Sequence, residues 1–439
     1  MKTIGVDIGT TTLSFIVMET DTHRVLSSRT ISNGSFIKAS NDWERIQDPK
    51  VIIRKTMDVL DDIIGNYPDF GAIGLTGQMH GILYLDKYGH FLSPLYTWED
   101  GSGNQPEFEG RSIVDLVRDQ TGIQAASGYG LITHLYHLNK GFVPKQAVSF
   151  CTIMDYLGMK LTDRTTPLMH ASNAASLGFF DARTKTYRRD VLKTLGMDIE
   201  MLPEVTDRFE ILGTFRGIPV ITAIGDNQAS FLGAVGLKEN TALINMGTGG
   251  QISVLSNVFF EAPGIEARPI IGDRYLLAGS TLCGGKAYAI LERFFRIYAA
   301  AAGAPKGSQY SVMEKLLQQE PVQRPLEVET TFKGTRVDPD KTGSIIGIIE
   351  ENFTPSHLIH GVMSGMAQEL YDMYEIIARG TGFRADSIVA SGNGLRKNPA
   401  LQEVFSQMFH APVTLSPYQE EAACGASMCM ELSAEYDHK

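Results

Sequence analysis

The 439-residue chain reads as an α/β protein built in two halves of one design. Three observations predict this. First, Ile4 to Thr12 (IGVDIGTTT) is an apolar strand that ends in an acid, a glycine and three threonines. Leu13 to Met18 continues as a second strand, so the motif is a tight β-turn and differs from a P-loop, whose glycines open a helix. Second, Ala242 to Leu255 (ALINMGTGGQISVL) repeats the pattern about 240 residues on, a spacing suited to one domain or two small ones. Gly9 then aligns with Gly247, Thr10 with Thr248, and Asn245 stands where Asp7 stood. Third, the first turn is embedded in a run of three strands, a helix and a strand.

In order, residues 2–8, 11–18 and 24–31 read as consecutive strands with alternating or continuous apolar character. Asp48-Pro49 opens a helix as N-cap and first-turn proline, and the helix runs to about Ile64. Ala72 to Thr76 is a further buried strand. This β-β-β-α-β-α opening is ribonuclease-H-like, or actin-like, rather than a Rossmann unit. Residues 86–215 mix short helices and polar turns, including TWEDG, SGYG, IMDYLGMKL and ASNAASLGFF (Ala171 to Phe180), which suit a ligand-lining insertion and ordinary loops equally. Pro219 to Ile224 is an apolar strand running into GDNQAS, Gly225 to Ser230. A hinge near Val235 to Asn240 divides an N-terminal domain, 1–236, from a C-terminal domain, 237–439. In the second, strands fall near 242–256 and 275–279, and a helix spans Lys286 to Ala301. The stretch 303–342 is a surface excursion. A long helix runs from Ser356 to Arg379 with Gly380 at its C′ position. Strand Ser387 to Ala390, a helix, strand Val413 to Leu415 and a last helix from Glu420 follow. The expected fold is two ribonuclease-H-like (actin-like ATPase) domains, duplicated, facing an interdomain cleft.

Composition narrows the function classes. The chain is 43% hydrophobic and 20% charged, ordinary for a soluble protein with two cores. A net charge of −11 with no basic run argues against nucleic-acid or anionic-membrane partners. No leader precedes the strand at Lys2 and no apolar stretch approaches a membrane span, so a cytoplasmic protein is expected. Cys151, Cys283, Cys424 and Cys429 form no C-x-x-C pair and read as reduced packing thiols.

The chemistry-bearing residues fall at strand ends. Asp226 closes an apolar strand between Gly225 and Asn227, where a carboxylate is costly without a partner or a task. It can act as general base toward a hydroxyl, or cap the helix that follows. Asp7 can hold Mg2+, which favours one or two carboxylates plus phosphate oxygens. Only the first turn carries this acid, so only that turn is expected to handle the metal. Thr10, Thr11 and Thr12 offer hydroxyls and N–H groups to phosphate. GSTLCGGKA, Gly279 to Ala287, imitates a P-loop but lacks its first glycine and its final Ser or Thr. It reads as a glycine turn, Gly284-Gly285, opening a helix near a nucleotide. SGNGLRKNP, Ser391 to Pro399, can pack against a nucleobase or ribose. His80, Trp98 and Asp100 together supply the polar groups and apolar face that a sugar requires.

These motifs resemble the FGGY carbohydrate kinases of the actin-like ATPase superfamily, in the right order over nearly the whole chain. IGVDIGTTT and INMGTGG resemble the family's two phosphate motifs, and GDNQAS the segment carrying its catalytic aspartate. SGNGLRKNP and EEAACGAS resemble its adenosine-side motifs. Within the family, GQMHG, TWEDG, SGYG, DYLGMKL, SNAASLGFF, GDNQAS and GSTLCGGK look most like sedoheptulokinases, while GQMHG is shared with xylulokinases. His134 and His137 depart from the family pattern, standing where Lys and Trp are usual. The resemblance implies an ATP- and Mg2+-dependent ketose kinase, with sedoheptulose phosphorylated to sedoheptulose 7-phosphate, and a xylulokinase-type pentulose kinase or a non-catalytic ATP and sugar sensor as alternatives. It makes Asp226 the base, Asp7 the metal-associated acid, Thr11, Thr248 and Gly249 (beside Gly247) phosphate contacts, and Gly394 and Asn398 nucleotide contacts. Met79, His80, Tyr129, Asp226 and Asn227 fall where the sugar binds. The expected partner is a small-molecule sugar, and a homodimer is compatible with this reading.

Overall fold

The computed structural model describes residues 1–304, 306–319 and 324–437. It comprises two compact units. The first contains Met1–Gly236, Arg268–Asp273 and Tyr418–Lys439; the second contains Leu237–Ala267 and Arg274–Pro417. Gly236 and Leu237 fall in different units. The second half is not a single uninterrupted domain as the sequence reading had it, since two of its segments return to the first unit.

In the first unit, β1 (Lys2–Ile8), β2 (Thr12–Glu19) and β3 (Arg24–Ser32) form a meander, followed by α1 (Pro49–Asn66) and β4 (Phe70–Gly77). After the insertion come β5 (Ile211–Phe215), β6 (Ile218–Ile221) and the short β7 (Ile224–Gly225). The sheet runs β5-β6-β4-β1-β2-β3, with β7 also paired to β4. β1 is antiparallel to β2 and parallel to β4, which sets Asp7 opposite Ser14 on one side and Thr76 on the other. α1 starts where the sequence placed it: the Asp48 side chain accepts the Lys50 N–H at 2.8 Å, and Pro49 needs no donor at the first turn. Ile4, Val6, Ile8, Leu13, Phe15 and Val17 are fully buried with Ile52 and Leu60 of α1.

Within the insertion, α2 (Gly130–Lys140), α3 (Ile153–Thr162) and α4 (Ala171–Ser176) are the helices that matter for the site. His134 and His137 on α2 are buried and share the Tyr84 hydroxyl at 2.9 and 3.1 Å. They belong to the insertion's core.

The second sheet, β8 (Thr241–Met246), β9 (Gly250–Ser256), β10 (Ile265–Ile271, of which Arg268–Ile271 is counted with the first unit), β11 (Arg274–Thr281), β12 (Ser387–Ser391) and β13 (Val413–Leu415), runs β10-β11-β9-β8-β12-β13. β8 is antiparallel to β9 and parallel to β12, placing Asn245 opposite Gln251 and Ser391. The same pairing pattern surrounds Asp7, so the duplication extends from the turns to the sheets. Around this sheet lie α6 (Gly284–Ala301), α7 (Tyr310–Gln319), α8 (Pro355–Thr381) and α9 (Pro399–Phe409), numbered after α5 (Asp226–Val235) of the first unit. Ile244, Val254, Leu277, Ile359, Leu370 and Phe405 centre this core.

The long helix α8 continues to Thr381, and Gly382, at φ 78°, provides the left-handed cap. Gly380 is therefore interior rather than C′. Its hydrogen faces the Phe260 ring, where a Cβ would lie 2.1 Å from a ring carbon. The expected surface excursion contains α7 and a small ladder of Glu327–Glu329 with Ser344–Ile346, while residues 305 and 320–323 of it lie outside the described residues. The four cysteines are buried and unbridged. No helix among the described residues is long and apolar enough to cross a membrane.

Candidate active site

Asp226 is the first residue of α5, one position inside the helix, with Gly225 as its N-cap. It does not cap the helix, because its carboxylate makes no capping bond there. Oδ1 instead accepts the Asn227 amide at 2.9 Å. Burial pushes the carboxyl up to about 6, although part of its surface stays open, while the Asn227 backbone and the nearby charge of Arg268 pull it back. A carboxylate poised there is ionised at neutral pH yet still basic enough to take a proton.

Arg268 was not marked by the sequence. It lies in the Arg268–Asp273 segment that joins the first unit. Gln228 of α5 donates to the Pro269 carbonyl at 3.2 Å, and Lys185 bonds both Asp207, at 2.8 Å, and the Gly272 carbonyl. Nothing in IEARPII distinguishes this arginine from any polar residue on a strand.

Asp7 ends β1. Burial pushes its carboxyl up to about 7, with Asp226 and Glu420 adding like charge. That surplus of negative charge, offered as oxygen donors, fits a hard cation. No cluster of three metal-ligating side chains exists among the described residues.

The first turn is held by a ring of side chains. Trp98 Nε1 donates to Thr10 Oγ1 at 3.0 Å, and Thr10 Oγ1 donates to Gln78 at 3.4 Å. Gln78 donates to Gln47 at 2.8 Å, and Gln47 returns to the Thr10 carbonyl at 2.8 Å. Trp98 is 48% exposed, so it is not the core tryptophan that a packing role would require. Thr11 and Thr12 are exposed. Gln78 lies in the GQMHG motif but was given no role, and Gln47 lies in no motif.

The GQMHG turn sits beside Asp226. Met79 is buried against Gly225, where a Cβ would meet its sulfur at 2.8 Å, and the Asn227 amide lies 3.8 Å from that sulfur. His80 adopts φ 72° and its ring stacks on Tyr129 at 4.9 Å and 3°. Asp100 is buried, and its oxygens accept the Ser102 N–H at 3.0 Å and the Arg45 N–H at 3.4 Å. Those bonds tie it to its own loop in the capping role.

In the second unit, the Gly247-Thr248-Gly249 turn lies on the N-terminus of α6. Gly285 and Lys286 donate their N–H groups to the carbonyls of Gly247 and Thr248, both at 3.0 Å. A Cβ on Gly284 would lie 2.4 Å from the Gly249 carbonyl carbon. The two glycines thus let a helix end support the Gly247–Gly249 turn. The SGNG turn packs on β8, and a Cβ on Gly394 would fall 2.8 Å from Met246. Asn398 caps α9, its oxygen accepting the Leu401 N–H at 3.1 Å. EEAACGAS is not on this unit. The C-terminal helix (Glu421–Asp437) packs in the first unit, where its small residues meet Gly5, Gly74 and Gly233 at backbone distance.

The duplicated fold, with a glycine–threonine turn in each half, is that of the sugar-kinase class of phosphotransferases. The chain belongs to the FGGY family of carbohydrate kinases: residues 2–233 match its N-terminal domain and residues 242–433 its C-terminal domain. The sedoheptulokinase of Mus musculus is 26% identical over 477 residues, 98% of this chain and 97% of its own. The xylulose kinase of Staphylococcus xylosus is 23% identical, covering 99% and 91%. In fold, the chain is similar to the xylulose kinase of Rhodospirillum rubrum, with a TM-score of 0.82 at 20% identity over 99% of this chain and 90% of that one. Plasmodium falciparum glycerol kinase, solved with ADP, gives 0.78 at 18% identity over the same shares.

Proposed function

We propose that the chain is an ATP-dependent ketose kinase whose preferred acceptor is sedoheptulose, phosphorylated at its terminal hydroxyl. The observation that carries the chemistry is Asp226, held by Asn227 and poised near 6 beside the Met79–His80 turn. The relative named sedoheptulokinase, matched over 98% of this chain, supports the choice of sugar. The match to xylulose kinases supports the second reading, a pentulose kinase with the same mechanism.

In this mechanism the Asp226 carboxylate accepts the proton of the sugar hydroxyl as that oxygen bonds to the γ-phosphorus. The bond from γ-phosphorus to the β–γ bridging oxygen breaks, and ADP leaves. Amides of the turns at Gly9–Thr11 and Gly247–Gly249 stabilise charge on the phosphoryl oxygens. His80 hydrogen-bonds the sugar, and the Tyr129 ring that supports it adds apolar surface. Asp7 would hold Mg2+, which when bound would neutralise phosphate charge. Gly394 lies against the nucleoside.

Sugar-dependent ADP release over sedoheptulose, xylulose, ribulose, fructose and glycerol tests the assignment. Sedoheptulose should give the highest kcat/KM; a preference for xylulose would favour the second reading, and no sugar-dependent turnover would leave a sensor. Asp226→Asn should bind sugar nearly normally and lose two or more orders of magnitude in turnover. Near-normal turnover in that variant would remove Asp226 from the mechanism.

A further inference from the structure

The ASNAASLGFF stretch has no part in the mechanism above, yet its helix touches both halves of the sugar-side machinery. α4 is buried along Ala171–Ala174 and at Ser176. The Gly225 N–H, immediately before Asp226, donates to Ser172 Oγ at 3.0 Å. Ser172 Oγ also lies 2.8 Å from His170 Nδ1, which already accepts the Ser172 backbone N–H at 3.2 Å. His170 Nδ1 is therefore the acceptor of both. The proton order is fixed as Gly225 N–H to Ser172 Oγ–H to His170 Nδ1. Burial pushes His170 down to about 4, so the ring stays neutral and Nδ1 remains an acceptor at physiological pH.

One turn further along the same helix, Ser176 Oγ accepts the His80 N–H at 3.0 Å and donates to the Asn173 carbonyl at 2.7 Å. The Ser176 carbonyl lies 2.6 Å from His80 Nδ1, so that nitrogen carries the proton. In the neutral ring Nε2 is then the acceptor, the form suited to a sugar hydroxyl. His80 is a non-glycine residue at φ 72°, a strained conformation that persists only when its surroundings hold it.

The helix is itself anchored. Asn173 donates to Thr152 at 2.9 Å and to Asp155 at 2.5 Å, and Thr152 donates to Asp155 at 2.7 Å, all buried. Positions i and i+4 share one helix face, so one rigid turn registers two loops that leave two different strands, β4 and β7.

We infer that α4 is a positioning element of the active site, Ser172 fixing the backbone that carries the base and Ser176 fixing the tautomer and the strained backbone of the sugar-binding His80. This rests on the reading of the chain as a sugar kinase with Asp226 as base. Ser172 and Ser176 touch no reacting atom. Their loss should therefore separate kinetically rather than lower everything together.

The experiment is steady-state kinetics on the full chain with whichever ketose the wild type turns over, beside thermal unfolding of each variant. Ser172→Ala should lower kcat about tenfold, the worth of one buried hydrogen bond, and leave the sugar KM within about twofold. Ser176→Ala should raise the sugar KM about tenfold and leave kcat within about threefold. If Ser172→Ala does not fold, Ser172→Cys, similar in size and a weak acceptor, should show the same kcat-specific loss in smaller measure. Unchanged kinetics, or kcat and KM shifting together in step with lost thermal stability, would overturn the inference while leaving the kinase assignment intact. A wild type without sugar-dependent turnover would overturn both.

Discussion

A carboxylate works as a base only if it has lost its proton before the substrate arrives. For Asp226 this depends on a balance between burial, which raises its pKa to about 6, and the opposing Asn227 bonds and Arg268 charge. Replacing Arg268 by Gln removes a positive charge, disfavours the carboxylate and should move the acid limb of kcat/KM to higher pH. An unchanged or lower acid limb would show that Arg268 does not act on the base. Asp7 feels Asp226 directly, so the limb belongs to the pair rather than to one residue. At this scale the sequence was informative where a residue type is costly out of context. A carboxylate at a strand end announces itself; Arg268, Ser172 and Gln78, which work by hydrogen bond or by charge at a distance, do not.

The elements show how far small residues dictate packing. Gly5 and Gly74 are paired across β1 and β4, and the C-terminal helix lies on them so closely that a Cβ at Gly74 would fall 1.8 Å from the Ala426 carbonyl oxygen. Gly425 meets Ala229 of α5 at the same distance. Gly74→Ala should therefore destabilise the first unit by about 1–3 kcal/mol or more, by overpacking. Gly65→Ala, on α1 with nothing within 4 Å, should instead stabilise by up to about 1 kcal/mol through helix propensity. Urea unfolding of the two variants checks the contrast, and a stable Gly74→Ala would mean that the helix can lift off the sheet. The hairpins and α1 were legible because strand period, turn and cap are local signals. The home of the C-terminal helix was not: an alanine- and glycine-rich face says that something approaches closely, without saying what.

Across the whole molecule, burial of ionisable groups ties stability to pH. His134 and His137 are pushed down to about 4 and about 3, chiefly by burial, so the folded chain binds fewer protons than the unfolded chain below pH 6.5. Their contribution is fully present above about pH 6.5 and is lost as pH falls toward 4. Asp7 and Asp155, each pushed up to about 7 by burial, act in the opposite sense, costing stability as pH rises through that value. His137→Leu should thus flatten the stability profile between about pH 4 and 6.5 by about 1.4 kcal/mol per pH unit relative to wild type. Parallel profiles for the two proteins would show that His137 is not held neutral. These histidines appeared in the sequence only as departures from a family pattern, because a buried polar cluster is recognisable once its partner Tyr84, some 50 residues away, is known to face it.

The return of residues 418–437 to the first unit also has a meaning in time. A ribosome releases Gly236 well before Glu421, and at about 5–20 residues per second the intervening stretch of roughly 180 residues takes about 10 to 40 s. Throughout that interval the nascent first unit lacks the helix that covers Gly5, Gly74 and the inner face of α5. The half that carries Asp226 is made first and completed last, and for those seconds its sheet face stays open.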